Sequence, residues 1–259
     1  MYKKRKGRGP PKKVDQAKLQ LKDDMMEKGK MLYEGKAKKI FLTEKEDEVI
    51  QYFKDDATAF NAEKRGTILE KGIVNNKIST RLFQELADAG IPSHFIQQIN
   101  DREMLARRVN IILVEVVVRN RTTGSIIKRL GIEEGMFIDP PLVEFFYKDD
   151  ALGDPLITED HIRLLKLATP SQVAELRNQA LKINEVLLPF FQKRGMLLVD
   201  FKLEFGLWNG QIILADEISP DTCRFWDIQT GERMDKDRFR KDLGRIEETY
   251  QEVLKRVCS

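Results

Sequence analysis

Residues 196–227, MLLVDFKLEFGLWNGQIILADEISPDTCRFWD, contain the pattern that decides the fold. After an apolar run the sequence alternates, with Asp200, Lys202 and Glu204 on one side and Phe or Leu on the other. Alternation with a period of two predicts a β-strand that buries one face and presents the other. The presented face would carry an acid, a base and an acid in a row.

The chain then turns back through Trp208-Asn209-Gly210 into a second apolar run that ends at Asp216. With a two-residue turn at Asn209-Gly210, Leu203 would lie opposite Asp216, and Glu204 and Asp216 would face opposite sides. A three-residue loop with a left-handed Gly210 would put both carboxylates on one face. Because a shared metal ion requires both on one face, we predict the three-residue loop or a nearby bulge.

Polar residues follow this hairpin, among them Asp221 and Arg224. Carboxylates are suited to Mg²⁺, and lysine or arginine is suited to phosphate. An ordinary half-exposed hairpin would also alternate. The prediction of a site therefore depends on the charged set and not on the alternation.

Composition favours a soluble, cytoplasmic protein. The chain has 259 residues, 41% of them hydrophobic and 34% charged, which suits one large domain or two small ones. No apolar run approaches the ~20 residues that a bilayer span requires, and we expect no membrane partner. The basic N-terminus lacks the apolar segment of a secretory signal. Two cysteines and two histidines exclude a disulfide framework and a His-rich metal site.

The basic charge is concentrated at the N-terminus. Residues 1–13 contain seven Lys or Arg and no acid, and without them the chain has 38 basic and 42 acidic residues. Such a segment can bind nucleic acid or an anionic membrane without specificity. The alternative is a solvated extension, and we predict that residues 1–27 are disordered with no specific nucleic-acid partner.

The remaining elements follow from periodicity. Short strands from residue 31 onward predict an antiparallel meander, in which Lys36 and Lys38 beside Gly35 could hold phosphates. Helical spacing predicts helices over residues 67–89 and 171–194. Residues 54–65 lack a regular period, and we predict a mobile loop with no assigned contact.

A buried central strand is predicted over residues 111–118, IILVEVVV, because β-branched residues dominate it. It ends in Arg119 and runs through Gly124 to Ser125, where a helix can begin. The guanidinium group of an arginine and the free backbone N–H groups at the start of a helix can both bind an anion. An ordinary capped turn with solvated arginines is the alternative.

Several blocks together resemble the SAICAR synthetase (phosphoribosylaminoimidazole-succinocarboxamide synthase) family. They are YEGKAKKIF (33–41), GIVNNK (72–77), VEVVVRNRTTGS (114–125), IKRLG (127–131), LVDFKLEFG (198–206), DEISPDTCRFWD (216–227) and MDKDRFR (234–240). The resemblance implies an α+β fold with a small antiparallel N-terminal sheet domain, residues 28–116, and a larger α/β C-terminal domain, residues 117–259. The ATP site would lie in the cleft between them.

The resemblance also implies an activity. It is an ATP-dependent carboxylate–amine ligase that joins L-aspartate to a carboxyaminoimidazole ribonucleotide in purine biosynthesis. By matching motifs, Lys36, Ala37, Lys38 and Lys148 would contact ATP, and Glu204 and Asp216 would hold Mg²⁺ and the phosphates. Arg119, Ser125 and Arg224 would hold the ribonucleotide 5′-phosphate, while Asp200, Lys202 and Asp221 would surround the imidazole and its carboxylate. Lys202 would also stabilise the acyl phosphate.

Two alternatives remain at this point. A kinase-like phosphotransferase would use the same lysines and carboxylates but would stop after phosphoryl transfer. A nucleic-acid-binding protein is supported by residues 1–13 alone. We also expect a homo-oligomer, most simply a dimer.

Overall fold

The computed structural model describes residues 28–59 and 64–259. The prediction of a disordered extension at residues 1–27 lies outside the described residues. Two large antiparallel sheets, a two-stranded ribbon and flanking helices form the described part, and this mixed architecture confirms the α+β prediction.

The first sheet has five strands in the order β1-β2-β3-β7-β6. These strands are β1 (Met31–Glu34), β2 (Lys38–Leu42), β3 (Glu48–Phe53), β6 (Phe95–Asn100) and β7 (Glu103–Arg107). Helix α1 (Lys71–Asp88) packs against the sheet through β3 and β6. The predicted helix is present but shorter at its start.

A two-stranded ribbon, β4 (Asp56–Ala59) and β5 (Lys64–Thr67), replaces most of the predicted irregular loop. That this segment is mobile and has no assigned ligand contact remains a prediction, but its described residues do contact the rest of the chain. Asp55 accepts hydrogen bonds from Arg102 at 2.7 and 2.9 Å, and Lys64 Nζ lies 2.6 Å from Asp242 Oδ1. Polar composition suggested a loop, but hydrogen bonds across the ribbon satisfy the backbone groups that a loop would leave open.

The second sheet has seven strands, with the order β11-β10-β9-β12-β13 and with β8 and β14 also paired to β12. The strands are β8 (Asn110–Ile111), β9 (Val114–Arg121), β10 (Phe137–Tyr147), β11 (Leu156–Ile157), β12 (Met196–Trp208), β13 (Gln211–Ala215) and β14 (Cys223–Asp227). The predicted buried strand is therefore β9, one of the two central strands. The 13-residue β12 is paired with four other strands, so it fixes the geometry of the whole sheet.

The other helices cover the second sheet or close the chain. They are α2 (Ser125–Leu130), α3 (Glu159–Leu164), α4 (Pro170–Gln192), α5 (Asp237–Arg240) and α6 (Ile246–Cys258). Helix α4, predicted over residues 171–194, packs against β9 and β12. It starts at Thr169, whose side chain accepts from the backbone N–H of Gln172 in a capping box. Helix α6 packs against α1, the first of the described helices, at the other end of the sequence from it.

The chain passes from the first sheet to the second between Arg107 and Asn110. The predicted domain boundary at residues 116 and 117 instead falls inside β9. A division of the chain into two domains at that point remains a prediction. Among the described helices, none combines the length and the hydropathy required to cross a bilayer.

Candidate active site

A cavity of about 640 Å³ opens between the β1–β2 turn and the strands β9 and β12. Most of the predicted site residues line it: Lys36, Ala37, Lys38, Lys148, Lys202, Glu204, Asp216 and Asp221. Apolar side chains, among them Ile40, Val49 and Leu113, form another part of its wall. The lining thus combines an apolar surface with a dense set of charges.

The β12–β13 hairpin has a tight two-residue turn, so the prediction of a three-residue loop was wrong. Trp208 pairs with Gln211, and Asn209 and Gly210 both have positive φ, 49° and 79°. This is the backbone that a primed hairpin turn requires, and Asn-Gly favours it strongly.

Glu204 and Asp216 nevertheless line the same cavity. Strand β13 ends at Ala215, and Asp216 has a left-handed backbone with φ 62°. The reversal takes Asp216 out of the alternation of the strand, so its side chain does not follow the face that the register would give it. A single left-handed residue thus brings both carboxylates to one cavity, which we had expected an odd-length loop to do.

Asp216 and its neighbour Glu217 hold the amine of Lys38. Lys38 forms an ion pair with Asp216, and its Nζ lies 3.1 Å from Glu217 Oε1. Burial alone would favour the neutral forms of Lys38 and Asp216, but the attraction between their opposite charges outweighs the effect of burial. It raises the pKa of Lys38 above its ordinary value, and with Lys202 it lowers the pKa of Asp216 to about 2. Both groups are therefore charged over the physiological range.

A second group of charges surrounds Glu204. Lys148 Nζ lies 2.8 Å and Lys202 Nζ 3.0 Å from Glu204 Oε1. Lys202 also lies 2.6 Å from Glu115 Oε1, and Lys148 lies 3.9 Å from the same atom. Each lysine is shared by two carboxylates, so a ligand that attracts a lysine must compete with a carboxylate.

Glu115 was missed by the sequence analysis. It is the single charged residue in IILVEVVV, and it is 6% exposed. Burial raises the pKa of this carboxyl although Lys202 opposes the effect. The signal was available, because a lone acid in a buried strand needs a partner. His94, Glu217 and Lys236 also line the cavity without having been predicted as site residues.

Arg119, Asp200 and Arg224 form a separate cluster that the cavity lining does not include. They are cross-strand neighbours, because Asp200 on β12 pairs with Arg119 on β9 and with Arg224 on β14. Arg119 Nη1 donates to Asp200 Oδ2 at 2.8 Å, and Arg224 Nη1 donates to the same oxygen at 2.9 Å. Register alone thus places two arginines on one buried aspartate.

Ser125 lies next to this cluster, and Arg119 Nη2 approaches its Oγ at 3.4 Å. Arg119 is 3% exposed and also donates to Glu144 at 2.7 Å, whereas the side chain of Arg224 is 20% exposed. A Cβ at Gly124, where φ is 68°, would lie 2.8 Å from Arg224 Nη2. The positive φ favours glycine here, and a larger residue would also displace this guanidinium.

Asp221 is held from three elements. Its Oδ2 lies 2.6 Å from Lys71 Nζ at the start of α1, and its Oδ1 accepts from Tyr250 Oη of α6 at 2.8 Å. Lys236 lies 3.7 Å away. Burial opposes ionisation, but Lys236 and Lys71 outweigh it and hold the pKa of Asp221 well below its usual range. The predicted site residues thus fall into a cavity group and an arginine group.

A family profile described as SAICAR synthetase matches residues 31–257. The phosphoribosylaminoimidazole-succinocarboxamide synthase of Persephonella marina is 59% identical over 232 residues, which cover 90% of this chain and 98% of that protein.

Solved structures give the same result. The phosphoribosylaminoimidazole-succinocarboxamide synthase of Ehrlichia chaffeensis matches with a TM-score of 0.86 and 48% identity, over 88% of this chain and 98% of that one. A SAICAR synthetase in complex with ADP matches with a TM-score of 0.85 and 44% identity, over 88% and 97% of the two chains.

Proposed function

The chain belongs to the SAICAR synthetase family, and on that premise we propose that it joins L-aspartate to 5-amino-1-(5-phosphoribosyl)imidazole-4-carboxylate at the expense of ATP. The observation that carries the proposal is the cavity in which Lys36, Lys38, Lys148 and Lys202 meet a set of carboxylates. A relative of the same fold has been solved with ADP, which supports a nucleotide in this chain.

The first step activates a carboxylate. An oxygen of the imidazole carboxylate attacks the γ-phosphorus of ATP, the bond from phosphorus to the bridging oxygen breaks, and ADP leaves with the electron pair. We assign Lys36, Lys38 and Lys148 to the phosphates, with Ala37 at the turn between the two lysines. Ammonium groups fixed around the phosphates would stabilise the charge that moves to ADP.

The second step forms the amide. The amine of L-aspartate attacks the acyl carbon, the bond from that carbon to the phosphate oxygen breaks, phosphate leaves with the electron pair, and the amine gives its proton to water. Lys202 would stabilise the acyl phosphate. Burial alone would lower its pKa, but Glu204 and Glu115 outweigh burial and raise the pKa well above the ordinary value. It therefore remains a cation while the reacting groups change charge.

Mg²⁺ fits this site as a companion of the nucleotide. Within residues 28–59 and 64–259, no group of three or more His, Cys, Asp or Glu side chains is arranged to hold a metal ion. Mg²⁺ is usually bound by one or two carboxylates together with substrate phosphates, and Glu204 and Asp216 supply that number. When bound, the ion would neutralise phosphate charge. Lys38, Lys148 and Lys202 would then move toward phosphate oxygens and leave the carboxylates to the metal.

The arginine group suits the other anion of the substrate. We propose that Arg119, Ser125 and Arg224 hold the 5′-phosphate, with Arg224 the more exposed of the two arginines. Asp200 would orient both guanidinium groups, and Asp221 would face the imidazole from the cavity side. We further propose a cytoplasmic location and a homodimer.

The test is a coupled measurement of ADP and of the succinocarboxamide product with ATP, Mg²⁺, the ribonucleotide and L-aspartate. We expect both products, and a strong fall in ADP when L-aspartate is omitted. Full ADP release without L-aspartate would instead show the kinase-like phosphotransferase. The matched variants are Glu204→Gln, which should abolish ligation, and the exposed Glu247→Gln, which should leave it unchanged.

A further inference from the structure

One buried lysine in the wall of the cavity has no role in the proposed function. Lys236 lines the cavity, and its side chain is 13% exposed. In the described part of the chain, the nearest carboxylate oxygen to Lys236 Nζ is Asp221 Oδ2 at 3.7 Å, beyond hydrogen-bond distance. Lys148 and Lys202 differ, because they lie 2.8 and 2.6 Å from a carboxylate oxygen. The positive charge of Lys236 is therefore only partly compensated.

Asp221 is already occupied by other partners. Its Oδ2 lies 2.6 Å from Lys71 Nζ, and its Oδ1 accepts from Tyr250 Oη at 2.8 Å. Lys71 is fully buried, so its ammonium group depends on this carboxylate. Burial, with Lys71 and Arg240, lowers the pKa of Lys236 although Asp221 opposes the effect. One carboxylate thus serves two buried cations, and an anionic ligand beside Lys236 would stabilise its charged form.

The backbone places Lys236 near the reacting groups. Lys236 N donates to Pro220 O at 3.1 Å, and Lys202 N donates to Thr222 O at 2.8 Å. Both lysines are thus fixed to one short segment, residues 220–222, and both line the cavity. In the proposed function Lys202 stabilises the acyl phosphate. An anion bound by Lys236 would therefore lie on the side of the cavity where the acyl carbon is attacked.

The carboxylates of L-aspartate are the anions of the reaction that still lack a cation. The proposed function assigns Lys36, Lys38 and Lys148 to the ATP phosphates, and it assigns the arginine group to the 5′-phosphate. We infer that Lys236 binds a carboxylate of L-aspartate and so orients its amine toward the acyl phosphate. The inference rests on the proposed function and names a residue that selects its amino-acid substrate.

The experiment compares Lys236→Met with Lys236→Arg in the full chain. Methionine keeps an unbranched side chain without the charge, whereas arginine keeps the cation. Product formation at saturating ATP and ribonucleotide gives the KM for L-aspartate. Thermal unfolding with and without succinate, a dicarboxylate that lacks the amine, measures binding apart from the reaction. The matched control is Lys255→Met, which removes an exposed lysine of α6.

We expect Lys236→Met to raise the KM for L-aspartate about 10-fold or more, as loss of a hydrogen bond between charged groups does. The same variant should lose the stabilisation by succinate. Its KM values for ATP and for the ribonucleotide should stay near those of the wild type, because other cations hold those substrates. Lys236→Arg and Lys255→Met should retain most of the affinity for L-aspartate.

An unchanged KM for L-aspartate in Lys236→Met would overturn the inference and leave the proposed function intact. A rise in the KM for the ribonucleotide instead would also overturn it, because Lys236 would then hold that substrate. Equal losses in Lys236→Met and Lys236→Arg would do the same, since they would show an effect of packing. If the wild type forms no product but succinate stabilises it and not Lys236→Met, the proposed function fails and the dicarboxylate site stands. If no product forms and succinate stabilises neither protein, both fail.

Discussion

Replacement of Asp200 by asparagine should destabilise the fold strongly, although the two side chains have almost the same shape. Asp200 is 2% exposed, and it accepts from Arg119 Nη1 at 2.8 Å and from Arg224 Nη1 at 2.9 and 3.1 Å. An asparagine offers one acceptor oxygen, and it turns an NH₂ donor toward guanidinium donors. The central strands would lose the one carboxylate that both arginines share.

The size of the effect follows from the remaining partners. Removal of one partner of a buried ion pair costs about 3–5 kcal/mol when the other charge is left alone. Here Arg119 keeps Glu144 and Arg224 keeps Asp237, so neither is left alone. The loss should therefore be near the lower limit, about 3 kcal/mol, equal to one or two hydrogen bonds between charged groups.

Equilibrium unfolding in urea measures this loss, with the fluorescence of Trp208 and Trp226 as the signal, since they lie on β12 and β14. The control is Asp150→Asn, which removes the exposed pair with Lys36 and should cost about 1 kcal/mol or less. If Asp200→Asn lowers the free energy of unfolding by no more than the control does, at an unchanged slope against urea, the reasoning about the arginine cluster is wrong.

Three further predictions follow from the charges. Lys202→Met should lower the rate of ligation by about 100-fold or more at saturating substrates, as loss of a preorganised charge does, and product formation measures this. Omission of nucleotide should abolish measurable Mg²⁺ binding in calorimetry, and tight binding of Mg²⁺ alone would contradict the assignment of Glu204 and Asp216. Burial and Asp237 raise the pKa of Asp235 to about 7, so the folded state binds more protons than the unfolded chain between its ordinary value of 3.8 and about 7. This contribution to stability is present at low pH and is lost as pH rises through that range. In urea titrations the free energy of unfolding of the wild type should therefore fall toward pH 7, whereas Asp235→Asn, which loses a backbone acceptor at every pH, should lack this fall.

Helices and strands that are marked by a short-range sequence pattern, such as an apolar stripe or a capping motif, could be predicted from the sequence. Helix α4 has an apolar stripe along the chain and a capping box at Thr169, and it was found within two residues of its predicted ends. The central strand β9 and eight of the cavity residues were also predictable, because hydrophobic pattern and family motifs mark them, whereas Glu115 was missed.

What could not be predicted depends on contacts between distant segments. The hairpin prediction gave more weight to a presumed metal than to Asn209-Gly210, the stronger local signal for a two-residue turn. The left-handed Asp216 was not visible at all, because Gln51, which donates to its carbonyl oxygen, and residues 92–94, which hold Leu214, belong to the first sheet and its connection. Likewise, the ion pairs that Arg119 forms with Asp200 and Glu144 depend on the register of three strands.

Strand β12 contributes to both groups of site residues, with Asp200 in the arginine group and Glu204 in the cavity group. Four residues of extended chain span about 13 Å, so this single strand fixes the distance between the two groups. Deletion or insertion of one residue between them would turn one end to the opposite face and change the length by about 3 Å. Among homologous chains, changes of length should therefore be confined to turns such as Asn209-Gly210 and should be absent between residues 200 and 204.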